Sequence, residues 1–538
     1  MKRWIALGLV FSFLLVGCTK KNKTYRPTTQ EIRLNLHSEP PTLDPRKATD
    51  TVSVSVLNLC FEGLTRVDPN GNVILAVAER IEVSPDKKRY TFFLRDAKWS
   101  DGRNVTAYDF EISWKTILNP TFPCEFASDL YIIRNAKAAR SNLCRSEEIG
   151  VRALNEKILQ VDLEHPVPYF LSALGTHTFF PTPAHITTLY PNWTEEHYVG
   201  NGPFLLKEWK HLDSMLLQKN LQYWDQENTK LEQVKFTLIE DETTELSMYE
   251  NGELDWAGYP LSNLPTEAVP SLEKQGALQT FDISGTYFYI FNTKEFPFTN
   301  ANIRRAFSLA INRLSITTNV TQLGQTPAMG LIPPAMGPAV AQEFTPLFKD
   351  NDLEEAKRCF ELGLKELGIT AEQLPPIRLS YNTNVGHHKI AQAIQEQWHE
   401  ALGIQVKLEN KEWKVFLDEI NHRKFQVARM GGLANVNDPS TFLDHYRYLS
   451  NGNNMSQWNH PKFTSLLDEA DITAEEPKRL ALLREAEKIL IDEMPIAPIY
   501  FYKGVYLNKP YVKGIHISEL NHLDLKWAYM EIDDQVSR

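Results

Sequence analysis

The chain has 538 residues, too many for one hydrophobic core, so two or three domains are expected. A hydrophobic share of 42% with a charged share of 23% is ordinary for a globular protein and excludes long disordered tracts. The formal net charge of -11, with no basic run interleaved with aromatics beyond the first few residues, excludes a phosphate-tracking nucleic-acid binder.

In chain order, Met1-Lys2-Arg3 leads into the apolar run WIALGLVFSFLLVG, which stops at Cys18. A basic start and an apolar stretch too short to span a bilayer read as an export signal. LLVGC (14–18) reads as a lipobox, so Cys18 is expected to be lipidated and to become the mature N-terminus; a plain signal peptide is the alternative. No later apolar run suits a membrane span. Four further cysteines, Cys60, Cys124, Cys144 and Cys359, include no CxxC pair, which gives a zinc or thioredoxin-type site no support. Export permits disulfides, and Cys124 with Cys144 is the pair that proximity suggests; four buried free thiols are the equal alternative.

EIRLNL (31–36) and RYTFFL (89–94) alternate as half-buried strands do. Ser84-Pro-Asp-Lys87 reads as a polar turn, although it fits SxxK. Asp101-Gly102 marks a turn, Thr106 with Asp109 a capping box, and Phe110, Trp114 and Ile117 one helical face directed at a core. Asn201-Gly202-Pro203 and Asn251-Gly252 read as short polar turns, and Glu240-Asp241-Glu242 as a solvated loop without calcium-loop spacing. Apolar stripes then predict helices through Ile303–Ile311, through Leu353–Leu367 with a stop at Gly368, and through Ile390–Leu402 with a stop at Gly403. IQVKL (404–408) predicts a strand, and a last helix is expected over 476–491. The alternation makes the fold class α/β, with ligands expected in crevices at strand ends. No GxSxG, HExxH or GxxxxGK[ST] occurs. His387-His388 cannot share one helix or strand face, so a metal is not expected there.

Several blocks carry a family resemblance: LNLHSEPPTLDPRKATD (34–50), FEGLTRVDPNGN (61–72), AKWSDGRNVTAYDFEISWK (97–115), NGPFLLKEW (201–209), TYFYIFNTKEFPFTNANIRRAFSLAINR (286–313), YNTNVGHHK (381–389), EWKVFLDEI (412–420) and VARMGGLANVNDPSTFL (427–443). In this order they resemble the extracytoplasmic solute-binding proteins, family 5, of oligopeptide ABC transporters, over essentially everything after residue 30. The resemblance implies a two-lobed periplasmic-binding-protein fold of the class II, cluster C type. Residues 31–52, 186–284 and 502–538 would form the first lobe, 53–185 an inserted domain and 285–501 the second lobe. It also implies a monomeric, lipid-anchored binder in the periplasm or at the cell surface, without cofactor, metal or catalysis. Such a protein delivers oligopeptides or peptide-like ligands to an ABC permease. A murein-peptide binder, a receptor, and a metal or haem binder on the same fold are the alternatives.

The resemblance also assigns ligand-binding roles to Glu39, Phe126, His387, Trp413, Arg429, Gly431, Leu433 and Asn435. Arg429 matches an arginine that receives a ligand carboxylate, a task suited to a guanidinium, with an internal salt bridge as its alternative. Trp413 matches a pocket-lining aromatic or packs in the core. His387 matches a polar pocket residue or faces solvent. Glu39 matches a cleft carboxylate or bridges to a basic neighbour, and Pro40 and Pro41 beside it have no N–H to offer. Asn435 is a departure, because relatives place there an aspartate that pairs with the ligand's α-ammonium. Losing an enclosed charge partner costs on the order of 2–5 kcal/mol, so the expected ligand has no strict need for a free α-ammonium. Gly432 stands where many relatives carry tryptophan and Ile420 where they carry arginine; Asp438 matches the framework of the loop.

Overall fold

The computed structural model describes residues 27–434, 436–449, 454–518 and 520–532. Cys18 with its export segment, and Asn435, lie outside the described residues. Among those described, no helix is long and apolar enough to cross a membrane.

The alternating segment Glu31–Asn35 buries Ile32 and Leu34 and pairs in parallel with Gln233–Thr237. Ser214–Lys219 and Phe204–Lys210 complete this four-stranded sheet by antiparallel pairing. A second antiparallel sheet is built from Ala78–Val83, Arg89–Leu94, Ile158–Asp162 and Val151–Asn155, all within the stretch 53–185. Its apolar residues, among them Phe92 and Leu159, share one core with Ile32, Leu34 and Phe236 of the first sheet.

A separate core forms around a seven-stranded mixed sheet. Its order runs Trp256–Gly258, Ile496–Asn508, Gln279–Phe291, Val427–Leu433, Ile377–Asn382 and Val406–Lys411, with Thr326–Pro327 paired to Ile496–Asn508. The helices Ala301–Leu309, Leu353–Leu367, Val385–Leu402 and Glu476–Glu493 bury their apolar stripes against it. Two strands of 13 residues each, Gln279–Phe291 and Ile496–Asn508, run from one core to the other. Tyr287 and Ile496 sit in the second core, while Tyr506 packs against the first. Pairing between the two strands lapses from Asp282 to Thr286, where the register shifts.

The capping box at Thr106 and Asp109 forms, and Gly368 and Gly403 close their helices at φ of 69° each, the left-handed region that glycine enters freely. The strand expected over 404–408 begins later, at Val406, because Ile404 and Gln405 are spent leaving that cap. The last helix runs on to Glu493. Asn201-Gly202-Pro203, expected as a short polar turn, is buried. The Asn201 amide bonds the Glu62 backbone in both directions (3.0 and 2.9 Å), and a Cβ on Gly202 would meet the Cys60 carbonyl carbon at 2.5 Å. The four cysteines after Cys18 are free thiols, so the Cys124–Cys144 disulfide does not form. Cys124 is buried, and the half-buried Cys144 points its thiol at the Asn135 carbonyl, 3.6 Å away.

Candidate functional site

Strand Val427–Leu433 pairs along its whole length with Gln279–Phe291, but on its other side, among the described residues, only Val427 and Ala428 have partners, in Ile377–Asn382. In an antiparallel ladder, alternate residues direct both backbone groups to one side. The Ala434 N–H donates to Ser284 O at 2.8 Å, and Asn292 N–H donates to Gln426 O at 2.9 Å, so the even-numbered residues serve the paired side. Gly431 and Leu433 therefore turn their N–H and C=O groups to an unpaired edge, with Leu433 exposed. Such an edge is a template for an added strand.

Arg429, Gly431 and Leu433 share a face with Tyr289, Tyr287 and Gly285 across the ladder, with Arg429 and Leu433 supplying its side chains on this strand. Tyr500 and Tyr502 extend that face: Tyr287 stacks on Tyr500 at 4.8 Å, and Tyr502 stands edge-on to Tyr500 at 5.7 Å. Toward the first core the same strands carry Phe281 and Tyr506, 6.0 Å apart, and Tyr506 stacks on Trp256 at 4.1 Å. The result is an aromatic floor laid along the two strands that join the cores. Glycine is required in it, because a Cβ on Gly431 would lie 2.2 Å from the Tyr502 hydroxyl oxygen.

Arg429 supplies the charge. Its guanidinium lies 4.8 Å above the Tyr287 ring, with Nη1 3.5 Å from Asn382 Oδ1 and Nη2 3.3 Å from the Tyr502 hydroxyl. Its Nε is buried and has no hydrogen-bond partner among the described residues. No carboxylate among the described residues forms an ion pair with it. His387, at the start of helix Val385–Leu402, meets the Tyr287 hydroxyl through Nδ1 at 3.3 Å. Burial, with the Arg429 charge adding to it, pushes His387 down to about 3, so its imidazole is neutral at ordinary pH. Burial raises the Tyr502 phenol above its usual range. A half-buried cation among neutral groups is costly unless an anion joins it. The arrangement suits a carboxylate.

His387, Arg429, Gly431 and Leu433 thus come together, while Glu39 and Phe126 stand elsewhere. The Glu39 carboxylate accepts from His211 Nδ1 (2.5 Å) and from the Leu212 N–H (3.2 Å). Phe126 packs edge-on to His177 at 6.0 Å. Trp413 opens the helix Trp413–Asn421, and its side chain lies outside the described residues. Asp438 is bound twice by Arg479, at 2.6 and 2.8 Å, which makes it part of the loop's frame; Ile420 is in the core. His388 bonds Tyr381 at 2.5 Å, separately from His387. The tyrosine floor was missing from the sequence assignments, although its signal was present. Aromatics recur at every second position from Tyr287 to Phe291, and again at Tyr500, Tyr502 and Tyr506 with Gly504 breaking the period.

Comparison with known proteins agrees with this architecture. The family model "Bacterial extracellular solute-binding proteins, family 5 Middle" matches residues 72–454. The oligopeptide-binding protein OppA of Bacillus subtilis (strain 168) is 41% identical, over 98% of this chain and 100% of that one. The structure of the Escherichia coli murein tripeptide binding protein MppA superposes with a TM-score of 0.76 at 31% identity, covering 94% and 99% of the two chains. Haemophilus influenzae OppA, solved in complex with RPPGFSPFR, also superposes at 0.76 and 31%, covering 94% and 100%. The chain is therefore a two-lobed member of the bacterial extracellular solute-binding proteins, family 5.

Proposed function

We propose that the chain binds oligopeptides or peptide-like ligands outside the cytoplasm and hands them to an ABC permease without transforming them. The ligand adds as a strand to the open edge at Gly431 and Leu433, with its terminal carboxylate on Arg429. The observation that carries this reading is a free backbone edge ending in a cation that no carboxylate among the described residues neutralises. From Arg429 to Leu433 the strand rises about 13 Å at ~3.3 Å per residue, which suits ligands of about three to five residues. The peptide carried by the H. influenzae relative and the name of the B. subtilis relative support the ligand class. A murein-type peptide is the second reading, supported by the short edge and by the likeness to the E. coli murein tripeptide binder. Lipidation at Cys18, residues 53–185 as an inserted domain, and an uncharged partner for the ligand's amino end at Asn435 belong to the same reading.

Isothermal titration tests it with a free-acid tripeptide and its C-terminal amide. The wild type should prefer the free acid, and Arg429→Gln should weaken that ligand by 30-fold or more (about 2–5 kcal/mol for losing an enclosed charge partner) while leaving the amide little changed. Equal binding of acid and amide by the wild type would overturn the assignment of Arg429.

A further inference from the structure

Arg429 and Tyr289 stand directly opposite each other in the ladder between Val427–Leu433 and Gln279–Phe291. Because Arg429 turns its backbone groups to the open edge, the two form a non-hydrogen-bonded pair, the kind that brings facing side chains closest, with Cα atoms about 4.5 Å apart. Each carries a buried polar atom that has no hydrogen-bond partner among the described residues: Nε of Arg429 and the hydroxyl of Tyr289. The four strands around them, Gln279–Phe291, Ile377–Asn382, Val427–Leu433 and Ile496–Asn508, are described without a gap. Tyr289 is wholly buried, its ring edge-on to Tyr287 at 6.1 Å. Burial first, and the Tyr287 phenol second, raise Tyr289 well above the usual phenol range, so its hydroxyl keeps the proton and can donate. Both atoms are therefore donors, and a buried donor left unmet is costly. What the pair lacks is an acceptor.

The guanidinium shows how an acceptor would approach. Nη1 meets Asn382 Oδ1 at 3.5 Å and Nη2 the Tyr502 hydroxyl at 3.3 Å, both at the long limit for a hydrogen bond. The edge formed by Nε and Nη2 is one that a carboxylate can take with both oxygens at once. The molecule completes this arrangement elsewhere. Arg33 gives Nε (3.1 Å) and Nη2 (2.7 Å) to the two oxygens of Asp255, and the Tyr511 hydroxyl donates to Oδ1 of the same carboxylate at 2.8 Å. An arginine fork joined by a phenol is thus a carboxylate holder that this fold already uses, with the carboxylate supplied from within. At Arg429 the fork and the phenols are in place, and no carboxylate among the described residues pairs with them.

We infer that Tyr289 is a second determinant of the carboxylate site: the ligand's terminal carboxylate docks side-on to Nε and Nη2 of Arg429, and the Tyr289 hydroxyl donates to the oxygen that sits on Nε. The inference rests on the strand-addition reading, which puts the carboxyl end at Arg429. It deepens that reading by adding a residue that tells a carboxylate from a terminal amide. A carboxylate brings two acceptor oxygens to this edge, whereas an amide brings one and sets its NH2 against a donor.

The test titrates the full chain with a free-acid tripeptide and its C-terminal amide. Tyr289→Phe keeps the ring and removes only the hydroxyl. It should weaken the free acid about tenfold, as losing a hydrogen bond to a charged group does, and leave the amide unchanged. The preference for the acid then shrinks by the same factor. Without peptide, the urea midpoint of Tyr289→Phe should match or exceed that of the wild type, since no bond within the fold is lost. Arg429→Lys, which keeps the charge but not the fork, should also erode the preference. A wild-type ratio of acid to amide in Tyr289→Phe, or a urea midpoint that the substitution lowers without peptide, overturns the role of Tyr289 and leaves Arg429 in place. An undiminished ratio in Arg429→Lys overturns the side-on geometry. If the wild type binds acid and amide equally, the carboxylate site itself is lost and both readings fall together.

Discussion

A methyl group on Gly431 would stand 2.2 Å from the Tyr502 hydroxyl oxygen, which in turn lies 3.3 Å from Arg429 Nη2. Gly431→Ala should therefore swing Tyr502 off the strand and release the guanidinium it positions. The expected outcome is at least a tenfold loss of peptide affinity by titration, with about 1–3 kcal/mol of lost stability from overpacking. Unchanged affinity would separate Tyr502 from the ligand. Gly432 next to it faces the other way, and a Cβ there would make only ordinary contacts, with Phe442 at 3.6 Å the nearest. Gly432→Ala should be tolerated, so the pair serves as an internal control. Arg429 and His387 were legible in the sequence through their motif blocks. The tyrosines around them were not, because period-two aromatics announce a strand without saying which face meets a ligand. Nor does the sequence tell that Glu39 is held by His211, 172 positions away.

Secondary-structure elements were easier to read where local chemistry sets them. The glycine stops at 368 and 403 and the Thr106 box follow from residues in contact within a turn of one another. The buried knot at Asn201 and Gly202 does not, since its partners are Cys60 and Glu62 on a distant segment. Glu62 gathers several elements: Tyr223 and Trp224 after the strand Ser214–Lys219, Arg66 one turn on, and through Arg66 the C-terminal Asp524. Glu62→Leu would leave Arg66 with one carboxylate and strip two aromatic donors of their acceptor. Removing one side of a buried pair costs about 3–5 kcal/mol, to be read from the urea midpoint. A loss under about 1 kcal/mol would mean that water replaces the carboxylate there.

At the scale of the molecule, acid should loosen the first core through its histidines. His177, whose Nε2 lies 3.2 Å from the Ala48 carbonyl, is pushed down to about 4 by burial, and His522 to about 3. The unfolded chain protonates these rings below about pH 6.5. Their contribution is thus complete above that pH and drains away as pH falls toward 4 and below. Asp129 and Asp444, pushed up to about 6 by burial, act in the opposite sense: the folded state keeps their protons first, which adds stability as pH falls below 6. A difference measurement isolates the histidine. Between pH 7.5 and 4.5 the wild type should lose more stability in urea than His177→Gln does, and parallel profiles would refute the assignment. The two-lobed plan itself was legible from the order of motif blocks. Its interior was not, because the sheet within 53–185 merges its apolar residues with those of the first sheet in a single core.

The strands Gln279–Phe291 and Ile496–Asn508 are at once the bridge between the lobes and the bed on which a guest would lie. Their ladder breaks between Asp282 and Thr286, and Gly285, inside that break, sits directly across from Leu433. Flexing at this joint divides the bed, with Trp256, Phe281 and Tyr506 travelling with one half and Tyr287, Tyr500 and Tyr502 with the other. Occupancy and shape are then mechanically one variable, since whatever rests across both halves splints the joint.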